Sequence, residues 1–187
     1  MQRIIVTGAT SMIGVALIEE CIKHGTEVYA VVREGSEKRS RLPESSLIKF
    51  VDCSLEHLDR LPEMIPQECD TFYHIAWGNT GENRNSSTER QSRNIGYTLA
   101  AVKAAAALGC KRFIGAGSQA EYGLLDLDRI SPESAANPTT PYGAAKLASG
   151  YLARMLCREL GIECIWPRIF SVYGCLLYTS PSPRDRG

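Results

Sequence analysis

Residues 6–14 read "VTGATSMIG", and the fold turns on how this stretch is interpreted. It closes a short β-branched run that begins at Arg3 and opens a helical pattern at Met12. Gly8 and Gly14 fall where a strand-to-helix turn presents backbone amides and a helix N-terminus to a pyrophosphate. A glycine pair alone is equally compatible with a plain turn; its place after the first strand of a βαβ pattern favours a nucleotide. Ser11 occupies the position where such loops carry a middle glycine, so a side chain either narrows the approach to phosphate or offers it a hydroxyl.

Outward from this loop, short apolar runs rich in β-branched residues alternate with longer helical patterns, the signature of a parallel sheet in an α/β, doubly wound Rossmann-type fold. "RIIVTG", "EVYAVVR", "LIKFVD", "TFYHIAW", "RFIGAGS" and "IECIWPRIF" are the six expected strands, each read as buried on both faces. Helices are expected at about 12–24, 88–108 and 141–160, each followed by a glycine, Gly25, Gly109 or Gly161, suited to a C-cap. The weakly structured gap from Leu124 to Thr140 lies where such a fold keeps an active-site loop.

The 187 residues, 44% apolar, are enough for one well-cored domain. Lys plus Arg (21) balances Asp plus Glu (21), so no long-range field points to nucleic acid or an anionic membrane. The seven cysteines are scattered and form no C-x-x-C pair, which reads as a reduced, cytoplasmic protein. No signal peptide is evident, no run approaches the roughly 18 apolar residues of a bilayer span, and no His/Cys/Asp cluster has metal spacing.

The end of the second strand distinguishes the two dinucleotides, because an acidic residue there suits a ribose 2′-hydroxyl and an arginine suits a 2′-phosphate. Arg33 stands there, followed by Lys38, Arg39 and Arg41 among Glu34 and Glu37. This favours NADP over NAD, unless "REGSEKRSR" is only a solvated loop. Asp52, ending the third strand, is placed to accept from an adenine amino group or to close a turn.

"PYGAAK" sets Tyr142 and Lys146 four apart on one helical face. A free tyrosine, titrating near ~10, is a poor base, and a neighbouring ammonium favours its phenolate. The motif alone is weak, since a surface tyrosine and lysine would look the same. "GSQAEYG" adds weight, because Ser118 follows the fifth strand and can hydrogen-bond an oxygen that gains or loses a proton.

Taken together, "TGATSMIG", Asp52, "HIAWG" at the fourth strand, Asn94, Ser118 before Tyr122-Gly123, Tyr142 with Lys146, and "PRIFSVYG" resemble the extended short-chain dehydrogenase/reductase family. The resemblance runs from Arg3 to Gly174 and is to its NAD(P)-dependent nucleotide-sugar epimerase and dehydratase branch. It implies Tyr142 as acid/base, Lys146 on the nicotinamide ribose, and Ser118 positioning the reacting oxygen while hydride moves between sugar carbon and nicotinamide. It also implies a dinucleotide held by Gly8, Thr10, Ser11, Met12, Ile13 and Gly14, with Arg33, Asp52, Cys53, Ala76 and Asn94 along its length. The implied substrate is a nucleotide-activated sugar, with 4-epimerisation or 4-keto reduction as the reaction and room for a homodimer of the full-length protein. A non-catalytic NAD(P)-binding regulator of the same fold is the alternative, against which the intact Ser118, Tyr142 and Lys146 count.

Departures from the family pattern narrow the reaction. Gln119 and Ala120 replace the Asp-Glu pair of 4,6-dehydratases, and Ser171 stands where many epimerases have a substrate-touching asparagine. His74 reads as a strand-end core residue. The dinucleotide domain is expected over 1–174, with the family's C-terminal substrate lobe missing. Residues 175–187, "CLLYTSPSPRDRG", match codon for codon the adapter of transposase-made sequencing libraries over Cys175–Asp185, and read as a non-biological tail. A natural Pro/Ser-rich tail is the rival reading.

Overall fold

The computed structural model describes residues 2–125 and 129–172, so the 175–187 tail lies outside the described residues. In chain order the elements are β1 (Arg3–Thr7), α1 (Met12–Lys23), β2 (Glu27–Val32), β3 (Ile48–Asp52), α2 (Leu61–Met64) and β4 (Thr71–His74). Then follow α3 (Thr88–Ala107), β5 (Arg112–Gly115), β6 (Gly117–Ser118), α4 (Pro141–Glu159), β7 (Glu163–Ile165) and β8 (Arg168–Ile169). Six strands form one parallel sheet in the order β3-β2-β1-β4-β5-β7, and β6 pairs with β8 in a small second sheet. The order reverses between β1 and β4, and the crevice at that switch, beyond the strands' carboxyl ends, is where such sheets bind ligands.

Each face of the sheet buries its own core, as the two-residue period of the strands requires. Ile4 and Val6 of β1, with Val28, Ala30 and Val32 of β2, pack with Val15 and Ile18 of α1. Ile5, Tyr29 and Phe72 point the other way, onto Ala101, Val102 and Ala105 of α3 and Ala153 of α4. The Phe72 and Phe113 rings are fully buried and stack at 5.8 Å. The three long helices end as the glycines imply, with Gly25, Gly109 and Gly161 at φ near +70° directly after the capping residues.

The sheet departs from the expected pattern at its edges. Phe50 and Ile165 are exposed, so β3 and β7 are not buried on both faces. The β3 edge is instead guarded by charge: Lys49 pairs with Glu27, and the Arg39 guanidinium lies 5.3 Å from the Phe50 ring centre. The fifth and sixth expected strands are each broken in two. At Pro167, which has no N–H to donate, the chain leaves the main sheet, and the Pro167 carbonyl accepts from Gly117 N–H at 2.9 Å. Trp166 fills the space this opens, so close that a Cβ on Gly115 would lie 2.2 Å from its ring.

Candidate functional site

The crevice at the switch point is a cleft of about 630 Å³ lined by Thr7, Gly8, Thr10 and Ser11 on one side and by Ile75 to Thr80 on the other. The glycines of the turn between β1 and α1 are dictated by backbone packing. Gly8 has φ +71°, and a Cβ on it would lie 2.7 Å from Ala76 N. A Cβ on Gly14 would lie 2.3 Å from the Gly8 carbonyl oxygen. Ser11 is the N-cap of α1, its hydroxyl accepting from Gly14 N–H at 3.1 Å. Met12 and Ile13 stand in the first turn, where a helix has no acceptor of its own for backbone N–H groups.

Arg33 and Cys53 line the cleft, together with Ser36, Lys38 and Arg41. Arg41 reaches the Thr10 carbonyl at 3.4 Å, tying the basic loop to the turn between β1 and α1. Asp52 lies next to this wall, but its carboxylate is engaged by Arg39, a partner that sequence reading did not assign to it. Asn94 is fully buried and works from α3, accepting from Gly78 N–H at 2.7 Å and donating to the Gly78 carbonyl at 3.2 Å. Its neighbour Gln91, also fully buried, accepts from the Trp77 indole at 2.8 Å. These two amides therefore hold the segment after β4 that carries Trp77 into the cleft wall.

Trp77 connects the cleft to the second group of residues. Tyr142 meets it edge-on at 6.0 Å between ring centres, and the Lys146 ammonium lies 3.7 Å from its ring centre. Arg84 caps the other part of the Tyr142 ring at 5.1 Å. Tyr142 and Lys146 ride on the first turns of α4, started by the Thr140 hydroxyl, which accepts from Gly143 N–H at 3.1 Å. Gly143 lets this helix end close on the turn after β6: a Cβ there would lie 2.3 Å from the Ala120 carbonyl oxygen. Ser118 N-caps that turn, its hydroxyl oxygen accepting from Ala120 N–H at 3.2 Å. The structure thus brings Ser118, Tyr142 and Lys146 to one place, next to the cleft.

Lys146 is 4% exposed and donates to the Ala116 carbonyl at 2.5 Å. Burial holds its pKa down to about 7, against an upward pull from Glu121. His74 is the strand-end core residue the sequence suggests, 3% exposed and hydrogen-bonded to the Thr7 hydroxyl at 2.9 Å. Burial, and secondarily Lys146, lowers its pKa to about 3 from an ordinary 6.5. The unfolded chain therefore binds a proton first as pH falls. His74's contribution to stability is complete above about pH 6.5 and is lost progressively toward pH 3. Denaturant titrations across this range are expected to show a shallower loss of stability in His74→Asn than in the unsubstituted chain; equal slopes would remove His74 as the cause.

Trp77, Gln91, Gly143 and Arg84 escaped sequence reading as individual site residues, because nothing in local spacing shows what a loop touches. Glu121 did carry a local signal: Ser118-x-x-Glu121 is a capping-box spacing, and the structure forms that box. Ser171, just after β8, is exposed. Among the described residues no group of His, Cys, Asp and Glu is arranged to hold a metal, and no helix is long and apolar enough to cross a membrane.

The chain is similar to known proteins over most of its length. UDP-glucose 4-epimerase of Streptomyces lividans is 23% identical over 171 residues, 91% of this chain and 52% of that protein. The dTDP-6-deoxy-L-talose 4-dehydrogenase (NAD(+)) of Aggregatibacter actinomycetemcomitans is 27% identical over 145 residues, 78% of this chain and 52% of its own length. The chain thus spans about half the length of these relatives. Among solved structures, UDP-glucuronic acid 4-epimerase from Bacillus cereus in complex with NAD superposes with a TM-score of 0.75 at 23% identity, over 92% of this chain and 58% of that one. An epimerase from Methanothermobacter thermautotrophicus gives a TM-score of 0.80 at 22% identity, over 92% and 52%. With residues 4–186 matching the model of the NAD dependent epimerase/dehydratase family, the chain belongs to that family.

Proposed function

We propose that this chain is the dinucleotide-binding and proton-transfer part of an NAD(P)-dependent enzyme that epimerises a nucleotide-activated sugar, or reduces its keto form, at C4. The observation that carries the reading is the convergence on Trp77: one residue lines the dinucleotide cleft and touches both Tyr142 and Lys146. The cleft suits the group chemically, with a capped helix start at Ser11 and the cations of Arg33, Lys38 and Arg41 on its wall. Bound there, the dinucleotide would supply the nicotinamide that takes up and returns hydride.

The chain's own residues handle the proton. Tyr142 exchanges it with the sugar oxygen, and Ser118 donates to the same oxygen, since its own lone pair already accepts from Ala120 N–H. Lys146, with a pKa near 7, loses its charge as pH rises past neutrality, so its support for Tyr142 is largest at and below that pH. The relatives named above include UDP- and dTDP-sugar enzymes, which supports a nucleotide-sugar substrate. The test is to join residues 1–172 to the C-terminal half of a relative, offer UDP- and dTDP-hexoses, and follow C4 configuration and nicotinamide absorbance. C4 inversion or reduction is expected; dinucleotide binding with no turnover of any such sugar by a folded protein would overturn the reading.

Arg33 is assigned to the 2′-phosphate. Fluorescence titration is expected to show tighter binding of NADPH than of NADH, and Arg33→Ala should reduce that preference about tenfold, the value of one lost charge-assisted contact. Equal affinities in the unsubstituted chain, or an NADH preference in both, would assign the pocket to NAD.

A further inference from the structure

Glu121 has no part in the proton transfer described above, yet its carboxylate is buried behind it, 1% exposed. A carboxylate so placed must be fully hydrogen-bonded, and this one is. Oε1 accepts from Ser118 N–H at 2.9 Å and from the Trp166 indole at 3.0 Å, and Oε2 accepts from Arg168 Nε at 2.8 Å. The space around it is closed: a Cβ on Gly117 would lie 2.7 Å from Oε1, and one on Gly150 of α4 would lie 2.6 Å from the Trp166 indole nitrogen. One carboxylate therefore joins β6, Trp166 and β8 at the point where Ser118 begins its turn.

Lys146 is the second group within its influence. The ammonium is wrapped by Trp77 and the Ala116 carbonyl. Among the described residues, the charged and titratable groups around it are Glu121 from the 119–121 turn, His74 from β4, Tyr142 from its own helix, and Arg84 from the 82–85 turn, stacked on Tyr142. The buried face of α3 is uncharged, made of Gln91, Asn94, Thr98 and alanines with Val102. Among the described residues Glu121 is the acidic group that draws the Lys146 pKa upward, and the two hold neighbouring points of one backbone stretch, Lys146 the Ala116 carbonyl and Glu121 the Ser118 N–H; Arg168 is paired with Glu121.

We infer that Glu121 is a positioning residue of the proposed proton-transfer site, fixing the backbone of Ser118 and supplying Lys146 with its counter-charge from behind. The inference rests on the reading of Ser118, Tyr142 and Lys146 given above. Its two halves come apart by substitution. Glu121→Gln keeps an oxygen for Ser118 N–H but removes the charge; Glu121→Asp keeps the charge but is one methylene too short to reach Ser118.

Both variants are made in the 187-residue chain, without substrate, and read by the pH titration of the Lys146 Cε resonance and by hydrogen exchange at the Ser118 amide. Glu121→Gln is expected to lower the Lys146 midpoint by about one pH unit, a tenfold loss of proton affinity, with Ser118 still protected. Glu121→Asp is expected to leave the midpoint in place and speed Ser118 exchange about tenfold. If Glu121→Gln fails to fold because Arg168 is left unpaired, Glu121→Gln/Arg168→Gln is compared with Arg168→Gln, which keeps the carboxylate, and should show the lower Lys146 midpoint of the two. An unmoved Lys146 midpoint in the glutamine variants, or an equal change in both signals for Gln and Asp, overturns the inference. Failure of the functional reading shows differently: the protein completed with a C-terminal half would turn over no nucleotide sugar, while both signals respond as stated.

Discussion

Tyr142→Phe is expected to lower sugar turnover about 100- to 10,000-fold in the enzyme completed with a C-terminal lobe, while dinucleotide affinity stays unchanged. The range is that of a positioned acid/base, roughly 3–5 kcal/mol of barrier. The split between turnover and binding follows from what the substitution removes. The ring remains, edge-on to Trp77 and under Arg84, so the wall of the cleft is preserved and only the phenolic oxygen is lost. Lys146→Ala should damage both properties, because it strips the cation from the Trp77 face and leaves the Ala116 carbonyl without its donor. Fluorescence titration and single-turnover kinetics separate the two. Near-full turnover in Tyr142→Phe would take the acid/base role away from Tyr142.

Gly143→Ala should cost about 100-fold in turnover and about 1–3 kcal/mol in stability. In an open helix the same change would be favourable by up to about 1 kcal/mol, because alanine has the higher helix propensity. Here a Cβ would lie 2.3 Å from the Ala120 carbonyl oxygen and 3.0 Å from its carbon, and backbone cannot rotate aside as a side chain can. The helix must back away, and with it Tyr142 leaves its distance from Ser118. Gly96, in the middle of α3 with nothing within 4 Å of an added Cβ, is the control. Thermal melts should place Gly143→Ala below the unsubstituted chain and Gly96→Ala at or above it. A Gly143→Ala protein as stable and active as its parent would show that the close contact between α4 and the Ser118 turn is dispensable.

Most of the scaffold was legible in the sequence because it is encoded by neighbours. The β-branched and aromatic runs gave β1, β2 and β4, and the period of the apolar residues with the trailing glycines gave α1, α3 and α4 to within a residue or two. The short helices at 37–41, 55–60, 61–64, 82–85 and 119–121 went unassigned, since one or two turns are too short to display a period. Buried strands and edge strands were also indistinguishable, because whether β3 or β7 has a neighbour on both sides depends on sheet order and not on its own residues.

By itself the sequence determined the doubly wound fold, the glycine turn between β1 and α1, and the i, i+4 pairing of Tyr142 with Lys146. The last two follow from spacing within about ten residues, over which backbone geometry is fixed, and the fold from the alternation of such locally encoded runs along the chain. Only the tertiary structure decided what those residues meet. Asp52 is taken up by Arg39, 13 residues away, and Lys146 by the carbonyl of Ala116, 30 residues away. Glu121 finds Trp166 and Arg168 across more than 40 residues. Such contacts leave no periodic trace, because they are selected by the packing of whole elements and by the need of each buried polar group to find a partner, wherever in the chain it lies.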